Sequence, residues 1–406
     1  MDLTNTDQLP HLTIIAPSPL YPPLSGGSAH VVNAVRELSQ HYAVRLYVLA
    51  DDPTRVTWGP LAEWCVETRA FMPTPHRGIS LNPPAVHLAY SAALGAHLAE
   101  VWTATPPDLV QCEFTATAQY AVLARHFGAV VVCTAHNVAT LAQVRRARLQ
   151  PGCRLRARRW LGAISLALYE WRALRRCDLV ITHSAADAAV LRRWLPRIRS
   201  EYVPSGIDLA TWPICRNPNA TDEVLFVGNY LHPPNAEGAL WLAREVWPIV
   251  RRQRPAARLT LAGRGPTAAI QALAAADIRV PGTVDDLHDL YRASSVVVAP
   301  IFWGSGVRIK IIEALACGLP LVATPLAAEG IDLIHETSVL FAADPAQFAA
   351  AIIRLLDDSG LRQRLGNAGR TIIERDYDWR SIGARLAQVY AEVRVKRKRR
   401  AVSSDD

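Results

Sequence analysis

The stretch PIFWGSGVRIKIIEALACGLP, residues 300–320, decides the fold of the second half of this chain. An apolar run typical of a buried strand ends at Pro300, a loop with two glycines follows, and an apolar helical pattern begins near Val307. A helix that starts just after a strand offers free backbone N–H groups and the positive end of its dipole, which suit a diphosphate. The stretch therefore predicts a strand, an anion-binding loop and a helix of a doubly wound α/β domain.

Lys310 and Glu313 share the one polar face of this predicted helix. At about 100° per residue, Gly306, Lys310 and Glu313 fall within about 60° of one another, and apolar residues cover the rest. The chain has 44 lysines and arginines, of which three are lysines, and Lys310 is the only lysine before the C-terminal tail. A compact ammonium suits a phosphate oxygen. The alternative is a surface lysine that forms a salt bridge with Glu313.

Arg308 fits the helical pattern less well. Inside the helix it would point into the apolar face, so it either belongs to the loop or is buried with a partner. We favour the loop, from which its guanidinium would reach a phosphate.

The sequence outside this stretch alternates apolar strands with amphipathic helices, which predicts parallel sheets with crossover helices. A Pro-, Gly- and Asn-rich linker from Pro204 to Thr221 separates two halves that repeat this pattern. We therefore predict two Rossmann-like domains facing a central cleft. The strands are predicted at residues 11–16, 43–50, 109–112, 129–134, 179–182, 224–227, 258–262, 278–280, 296–299 and 321–323. The helices are predicted at residues 28–41, 235–252 and, after a cap at Asp378, 380–395.

Composition excludes several other classes of protein. A chain of 406 residues with 50% apolar and 20% charged residues is typical of a globular protein of two domains. Seven scattered cysteines without a CxxC pair indicate buried thiols in a reducing compartment. The acidic N-terminus is unlike a signal peptide, and no apolar run is long enough to span a membrane. We therefore expect a cytoplasmic protein.

Positive charge is concentrated in one region. Residues 144–176 hold ten arginines and one acid, Glu170, so this segment accounts for the whole net charge of +8. A second basic cluster is at residues 394–400, and no nucleic-acid motif accompanies either cluster. Leu161, Ile164, Leu168 and Trp171 recur at helical spacing between the arginines. This pattern fits a peripheral helix on an anionic membrane, but it also fits a buried apolar stripe with solvated arginines.

The region around Lys310 resembles the acidic motif of family 4 glycosyltransferases of GT-B fold, in which two glutamates eight residues apart precede Ala-Leu-Ala-x-Gly-x-Pro. Six further matches occur in the family's order and extend the resemblance over the whole chain. They are Gly26-Gly27, Thr134-Ala135-His136-Asn137, Pro204-Ser205-Gly206-Ile207-Asp208, Val227-Gly228, Leu261-Ala262-Gly263-Arg264-Gly265-Pro266 and Pro281-Gly282-Thr283-Val284-Asp285-Asp286-Leu287.

This resemblance implies a different role for each of three successive parts of the chain. Residues 1–205 would form an acceptor-side domain, and residues 206–379 a domain that binds the nucleotide sugar. Residues 380–406 would form a C-terminal helix and basic tail, with the helix packed back on the N-terminal domain.

The resemblance also implies roles for residues of the second half. Glu313 matches the second glutamate, which binds the donor ribose, and a carboxylate accepts two hydroxyl donors. The first glutamate would stand at Ser305, which is a departure from the family. The family's basic pair after Val-Gly is also absent, since Asn229 stands there. Arg308 and Lys310 would then supply positive charge to the diphosphate.

The remaining donor-side residues follow from the same match. Gly306 and Val307 would offer backbone N–H groups to the phosphates. Asp285 or Asp286 would lie near the base, although an Asp after a strand is as often a helix cap.

In the first half, Gly26 and Gly27 would let the backbone approach the donor closely, or would simply form a tight turn. His136 matches a histidine that faces the donor sugar, with a structural histidine as the alternative. Glu113 follows a strand and is a candidate acceptor-side group.

The implied reaction is transfer of a sugar from a nucleotide diphosphate sugar with retention of anomeric configuration, in polysaccharide or glycolipid synthesis. No metal or cofactor is expected, because positive side chains would stabilise the leaving diphosphate. The single Asp-x-Asp, at residues 376–378, reads as a helix cap region.

Three other functions fit parts of the sequence. A nicotinamide oxidoreductase is disfavoured, since no GxGxxG follows the first strand. Ser305 and Asn229 keep open a catalytically silent nucleotide-sugar binder, and a sugar-nucleotide epimerase would share the fold. The sequence leaves the base, the sugar and the acceptor unidentified.

Overall fold

The computed structural model describes residues 9–23, 25–76, 80, 82–215, 222–284 and 286–402. Two compact units divide the chain, one formed by residues up to Pro204 together with those from Ser381 on, and the other by Ser205–Arg380. Each unit is built on its own parallel sheet.

The first unit contains, in its described part, a seven-stranded parallel sheet of order β3-β2-β1-β4-β5-β6-β7. The strand order reverses between β1 and β4, which are neighbours in the sheet. These two strands pair in parallel, with Leu12 opposite Leu109 at one end and Ile15 opposite Cys112 at the other. The strands are β1 (His11–Ala16), β2 (Ala43–Leu49), β3 (Glu67–Phe71), β4 (Leu109–Glu113), β5 (Val130–Ala135), β6 (Leu179–Thr182) and β7 (Arg199–Tyr202).

The helices of this unit cover both faces of the sheet, as a parallel sheet requires. Those before β6 are α1 (Gly26–Leu38), α2 (Leu61–Trp64), α3 (Pro84–Leu88), α4 (Ala92–Ala104), α5 (Phe114–Thr117), α6 (Ala121–His126), α7 (Ala139–Leu149) and α8 (Cys153–Leu174), and α9 (Ala185–Trp194) follows β6.

The second unit repeats the plan with six parallel strands in the order β10-β9-β8-β11-β12-β13 across its described residues. Its reversal lies between β8 and β11. The strands are β8 (Glu223–Val227), β9 (Arg258–Ala262), β10 (Ile278–Gly282), β11 (Val296–Ala299), β12 (Leu321–Ala323) and β13 (Leu340–Phe341). The helices are α10 (Pro233–Trp241), α11 (Trp247–Gln253), α12 (Ala268–Gln271), α13 (His288–Ala293), α14 (Ile309–Ala316), α15 (Pro345–Asp357) and α16 (Ser359–Asp376).

Every strand that the sequence predicted is present, within one or two residues at its ends. The structure adds β3, β7 and β13. The first two are edge strands of sequence ETRAF and RSEY, whose residues are mostly half-buried, and the third has two residues. Edge strands lack the continuous apolar run that a strand buried on both faces needs. The predicted helix over 235–252 is interrupted by a π-helical turn, Leu242–Val246.

The last helix, α17 (Trp379–Val402), continues well beyond the predicted end at residue 395. From Ser381 on it belongs to the first unit. Tyr390 donates a 2.7 Å hydrogen bond to Gln111 of β4, and Arg394 and Arg397 form ion pairs of 3.1 and 2.8 Å with Asp108 and Asp178. Part of the basic C-terminal cluster is therefore neutralised by the fold. None of the helices in the described part of the chain combines the length and the hydropathy of a membrane-spanning segment.

A buried glutamate joins α8 to α7. Glu170 is 4% exposed, and its carboxylate accepts hydrogen bonds from the backbone N–H groups of Ala139 (3.1 Å) and Thr140 (3.0 Å) and from the Thr140 hydroxyl. These N–H groups belong to the first turn of α7, which has no capping side chain of its own. Burial raises the pKa of Glu170, and the hydrogen bonds oppose that rise.

We predict that Glu170→Ala lowers the free energy of unfolding by about 2–4 kcal/mol, because it leaves buried N–H donors without an acceptor. Urea unfolding followed by circular dichroism measures the change. Glu100→Ala, at an exposed position on α4, is the control and should change stability by less than about 0.5 kcal/mol. Equal stabilities of the two variants would contradict the capping role.

Candidate functional site

The loop before α14 differs from the sequence prediction in its length. Gly304 and Gly306 have φ angles of +125° and +80°, which prevent Gly306 from joining the helix. The helix begins at Ile309, two residues later than predicted, and Arg308 is its extended N-terminal cap residue. Arg308 thus lies in the loop, as favoured from the sequence, and its guanidinium donates to the Gly306 carbonyl.

Lys310 is half-buried in the second unit, near the reversal between β8 and β11. Its Nζ donates a 2.6 Å hydrogen bond to Oδ1 of Asn235 on α10 and lies 4.4 Å from the centre of the Phe226 ring. Burial and the nearby Arg308 lower the pKa of Lys310 to about 7, and the charge of Glu313 only partly opposes this. The Lys310–Glu313 salt bridge that the sequence left open does not form, since Lys310 bonds a neutral amide.

Glu313, one turn further along α14, is held by a different partner. The Tyr291 hydroxyl of α13 donates a 2.8 Å hydrogen bond to Glu313 Oε2. Burial raises the pKa of Glu313, while the Tyr291 hydrogen bond and the Lys310 charge oppose the rise. Lys310 and Glu313 thus extend from one helix to separate partners.

Two glycines bring the ends of β8 and β9 together beside Lys310. A Cβ on Gly228 would lie 3.3 Å from Lys310 Nζ, and a Cβ on Gly263 would lie 1.9 Å from the Gly228 carbonyl oxygen. Gly263 also has a φ of +137°. No other residue fits position 263 without moving the turn after β8, so the Val-Gly and Ala-Gly matches of the sequence shape this site.

Asn229, Ser305 and Val307 lie in the two loops of the same region. Asn229 Oδ1 accepts from the Leu231 N–H at 3.1 Å, and the Asn229 carbonyl accepts from Asn235 at 2.8 Å, so Asn229 shapes the turn that carries Asn235. Ser305 and Val307 are half-buried, on either side of the buried Gly306.

Asp286 accepts hydrogen bonds from the His288 N–H (2.8 Å) and ring Nδ1 (2.5 Å). Asp286 thus bonds the first residue of α13, whose N-cap position is Leu287, and a place for Asp286 near the base stays a prediction. Asp285 itself lies outside the described residues.

His136 occupies the carboxyl end of β5 in the first unit, and its ring is held on two sides. Its Nε2 donates a 2.6 Å hydrogen bond to Glu113 Oε2 at the end of β4. The Phe114 ring stacks on the imidazole at a centroid distance of 4.0 Å and an angle of 17°. Phe114 has a φ of +62°, an unusual conformation for a residue with a side chain, which marks a constrained turn.

Gly26 and Gly27 open the first turn of α1, which Ser25 and Ser28 cap reciprocally. A Cβ on Gly27 would lie 3.0 Å from the Phe114 ring and 3.7 Å from His136 Nδ1. Gly27 therefore makes room for the stacked pair. The Glu113 carboxylate is fully buried and bonds the His136 ring. In this structure, therefore, His136 and not Glu113 is accessible to a ligand.

Two more histidines complete this cluster. His30 of α1 and His183, just after β6, lie 5.3 and 5.0 Å from the His136 ring and 4.0 Å from each other. Burial lowers the pKa of His30 well below its usual value and that of His183 to about 3, so both are neutral. Across the described residues, no three His, Cys, Asp or Glu side chains are grouped to hold a metal ion.

Several neighbours of the predicted residues were missed from the sequence. Asn235, Phe226 and Tyr291 surround α14, and Phe114, His30 and His183 surround His136. Two of these six residues have a sequence signal for the site, because Phe226 and Phe114 stand at or just after the ends of predicted strands. The other four lie on helices or loops, where no sequence pattern indicates their contacts.

Two family models match the chain. The model for Glycosyltransferase Family 4 covers residues 24–211, and the model for Glycosyl transferases group 1 covers residues 221–358. Together they include both clusters described above.

Curated relatives agree with these models. A glycogen synthase of Mycobacterium tuberculosis is 30% identical over 55% of this chain and 56% of its own length. A phosphatidyl-myo-inositol mannosyltransferase of the same organism is 29% identical over 54% of this chain and 62% of its own length. The matches thus span little more than half of these two relatives. A D-inositol 3-phosphate glycosyltransferase of Salinispora tropica is 28% identical over 92% of this chain and 83% of its own length.

Solved structures share the fold. Sucrose-phosphate synthase from Thermosynechococcus elongatus has a TM-score of 0.75 at 18% identity, covering 94% of this chain and 99% of its own. Anabaena HepE in complex with UDP-glucose has a TM-score of 0.69 at 16% identity, covering 94% and 99%. The predicted fold class, GT-B with two Rossmann-like domains, is confirmed.

We predict that wild-type protein gains stability relative to Lys310→Met as the pH rises from about 7 to about 10. The pKa of Lys310 is about 7 in the folded protein against 10.5 for a free lysine, so in this window the unfolded chain binds more protons and stability rises with pH. The limiting slope is about 1.4 kcal/mol per pH unit. Denaturant unfolding of both proteins at several pH values measures the difference, in which the titrating groups that do not interact with Lys310 cancel. Parallel curves would contradict the buried charge.

Proposed function

We propose that this chain, which belongs to glycosyltransferase family 4, transfers a sugar from a nucleotide diphosphate sugar to an acceptor with retention of anomeric configuration. The observation that carries the proposal is the half-buried Lys310, whose hydrogen-bond partner is the neutral amide of Asn235. Its charge is not neutralised by an ion pair within the described residues, and it lies at the carboxyl edge of a sheet, where α/β proteins bind nucleotides.

Lys310 and Arg308 would act on the diphosphate. In the reaction the bond between sugar C1 and the diphosphate oxygen breaks, and the electron pair leaves with the diphosphate. Negative charge on the phosphate oxygens therefore grows toward the transition state, and a positioned ammonium in a partly dry site stabilises it. Binding would also restore the proton on Lys310, because an anion beside the amine raises its pKa.

Glu313 would bind the ribose hydroxyls. The Tyr291 hydrogen bond occupies Oε2, so Oε1 remains to accept a hydroxyl. Anabaena HepE, which shares this fold, is solved in complex with UDP and with UDP-glucose, which supports a uridine nucleotide as the first donor to test.

Retention would follow from attack on the same face of the sugar from which the diphosphate leaves. The acceptor hydroxyl forms the new bond to C1, and its proton passes to the departing phosphate oxygen. This route needs neither a nucleophilic carboxylate nor a metal ion, because Lys310 and Arg308 supply the positive charge. In the first unit, His136, held by Glu113 and Phe114, would contact a hydroxyl of the sugar or of the acceptor.

We predict that Lys310→Met lowers kcat by about 100- to 1,000-fold, whereas Glu313→Ala mainly weakens donor binding, by about tenfold, since ribose contacts are uniform along the reaction. Steady-state kinetics and calorimetry with UDP-sugars separate the two effects. Lys396→Met, an exposed lysine of the last helix, is the matched control and should change neither quantity. If Lys310→Met changes only KM, the electrostatic role is wrong.

A second candidate function is a nucleotide-sugar binder without transferase activity, because Ser305 stands where the family has its first glutamate. A thermal-shift screen with UDP-, GDP-, ADP- and dTDP-sugars identifies the ligand in either case. Release of free nucleotide in the presence of acceptors identifies a transferase, a binder releases none, and an epimerase changes the sugar without an acceptor.

The exposed face of α8 supports a membrane-associated acceptor. Leu161, Ile164, Leu168 and Trp171, which we call the α8 apolar strip, are 68%, 54%, 52% and 46% exposed. The opposite face of the helix is buried through Ala163, Tyr169, Glu170, Ala173 and Leu174. The reading of the strip as ordinary core is therefore wrong within this chain.

Arginines lie at both ends of the α8 apolar strip. Arg154, Arg156 and Arg158 precede it and are exposed, and Arg172, Arg175 and Arg176 surround its end and are exposed too. An apolar strip between cationic ends matches an anionic bilayer surface, to which each basic residue adds about 1 kcal/mol. One relative is a phosphatidyl-myo-inositol mannosyltransferase, which supports a lipid-linked acceptor and a peripheral position on the cytoplasmic face.

We predict that the protein co-sediments with vesicles containing anionic lipid and not with neutral vesicles, and that high salt releases it. Combined replacement of Arg154, Arg156, Arg158 and Arg159 by Ser should abolish binding, because it removes the charge beside the strip. A control variant removes the same charge from the exposed Arg192, Arg193, Arg252 and Arg385 and should still bind. Equal loss in both variants, or indifference to lipid charge, would contradict docking through α8.

A further inference from the structure

A chain of hydrogen bonds crosses the interior of the first unit from α17 to His136. The Tyr390 hydroxyl donates to Gln111 Oε1 at 2.7 Å, Gln111 Nε2 donates to Glu113 Oε1, and His136 Nε2 donates to Glu113 Oε2 at 2.6 Å. Tyr390, Gln111 and Glu113 are at most 1% exposed. Buried polar groups at such positions are costly unless each finds its partner.

The hydrogen bonds of this series all run, from donor to acceptor, toward Glu113. Both oxygens of the Glu113 carboxylate accept, so the Gln111 amide must present its NH₂ to Glu113 and its oxygen to Tyr390. Burial and the charge of Glu113 raise the pKa of Tyr390 well above its usual value, so its hydroxyl keeps the proton that it donates. The end of the chain fixes a proton on Nε2 of His136.

The other contacts of His136 fix the plane of the ring. Phe114 stacks on one face, and the neutral His30 and His183 approach it edge-on. His136 Nδ1 points toward Gly27, whose missing Cβ leaves the space beside it open. Among the described residues, Nδ1 has no hydrogen-bond partner.

We propose that Tyr390, Gln111 and Glu113 are positioning residues that hold His136 as its Nε2–H tautomer, so that Nδ1 accepts a hydrogen bond from a hydroxyl of the substrate. The proposal rests on the proposed function for the identity of that hydroxyl, which belongs to a sugar or to the acceptor. The tautomer itself is a property of the free protein.

Nitrogen NMR of histidine-labelled protein tests the tautomer without any activity. Comparison with His136→Gln assigns the His136 signals among those of the 12 histidines. We expect the neutral Nε2–H form in the wild type, a mixture of tautomers in Glu113→Gln, and a shifted His136 signal in Tyr390→Phe. Unchanged His136 signals in Glu113→Gln would overturn the proposal, even if the protein proved to be no transferase.

Kinetics tests the consequence for transfer. Tyr390→Phe should lower kcat by about fivefold and Glu113→Gln by about tenfold or more, with the donor KM unchanged. The matched control is Tyr42→Phe, since Tyr42 is buried, packs edge-on against Tyr390 at 6.4 Å and has the Arg394 guanidinium, not Gln111, beside it, 5.7 Å from its ring centre. It should reduce stability as Tyr390→Phe does and leave kcat unchanged. An equal loss of kcat in both tyrosine variants would mean ordinary core packing.

Discussion

Parallel pairing of strands is the constraint on which both units of this chain depend. A parallel sheet is covered by helices on both faces, so its interior admits few polar groups. Ile14, Val44, Val131, Val224 and Val298 are all fully buried in such strands. Polar chemistry is then confined to the carboxyl edge, where loops leave the strands. His136 and Glu113 stand at that edge in the first unit, and the loop to Lys310 leaves it in the second.

At these edges the two units use charge in opposite ways. In the second unit the cation Lys310 is held by a neutral amide. Burial lowers its pKa, and because no anion among the described residues is bonded to it, a bound anion would stabilise its charge. In the first unit the charge is a carboxylate, and an imidazole and an amide cover it completely. A buried charge with full hydrogen bonding orients its neighbours, whereas one without a counter-ion favours a charged ligand. The first arrangement suits orientation of a sugar, and the second suits a diphosphate.

The sequence predicts most of the fold, because continuous apolar runs mark the strands that are buried on both faces. It predicts neither β3 nor β7, since edge strands are half solvated and carry mixed residues. It also predicts the elements that carry Lys310, Glu313 and His136, but not the residues that hold them. Asn235 lies 75 positions before Lys310, and Tyr291 lies 22 before Glu313. Such pairs are set by how helices pack around a sheet, which periodicity within one helix does not encode.

Helix α8 shows a further limit of periodicity. The helix is apolar on two faces, and a count of apolar residues at helical spacing selects Leu161, Ile164, Leu168 and Trp171, which are the exposed ones. The buried face contains Glu170, a residue that a hydrophobicity pattern assigns to solvent. Its carboxylate is buried because the first turn of α7 needs an acceptor for its N–H groups. Once Glu170 is fixed inward, helical geometry places the α8 apolar strip toward the other side of the helix, where it is exposed among the described residues.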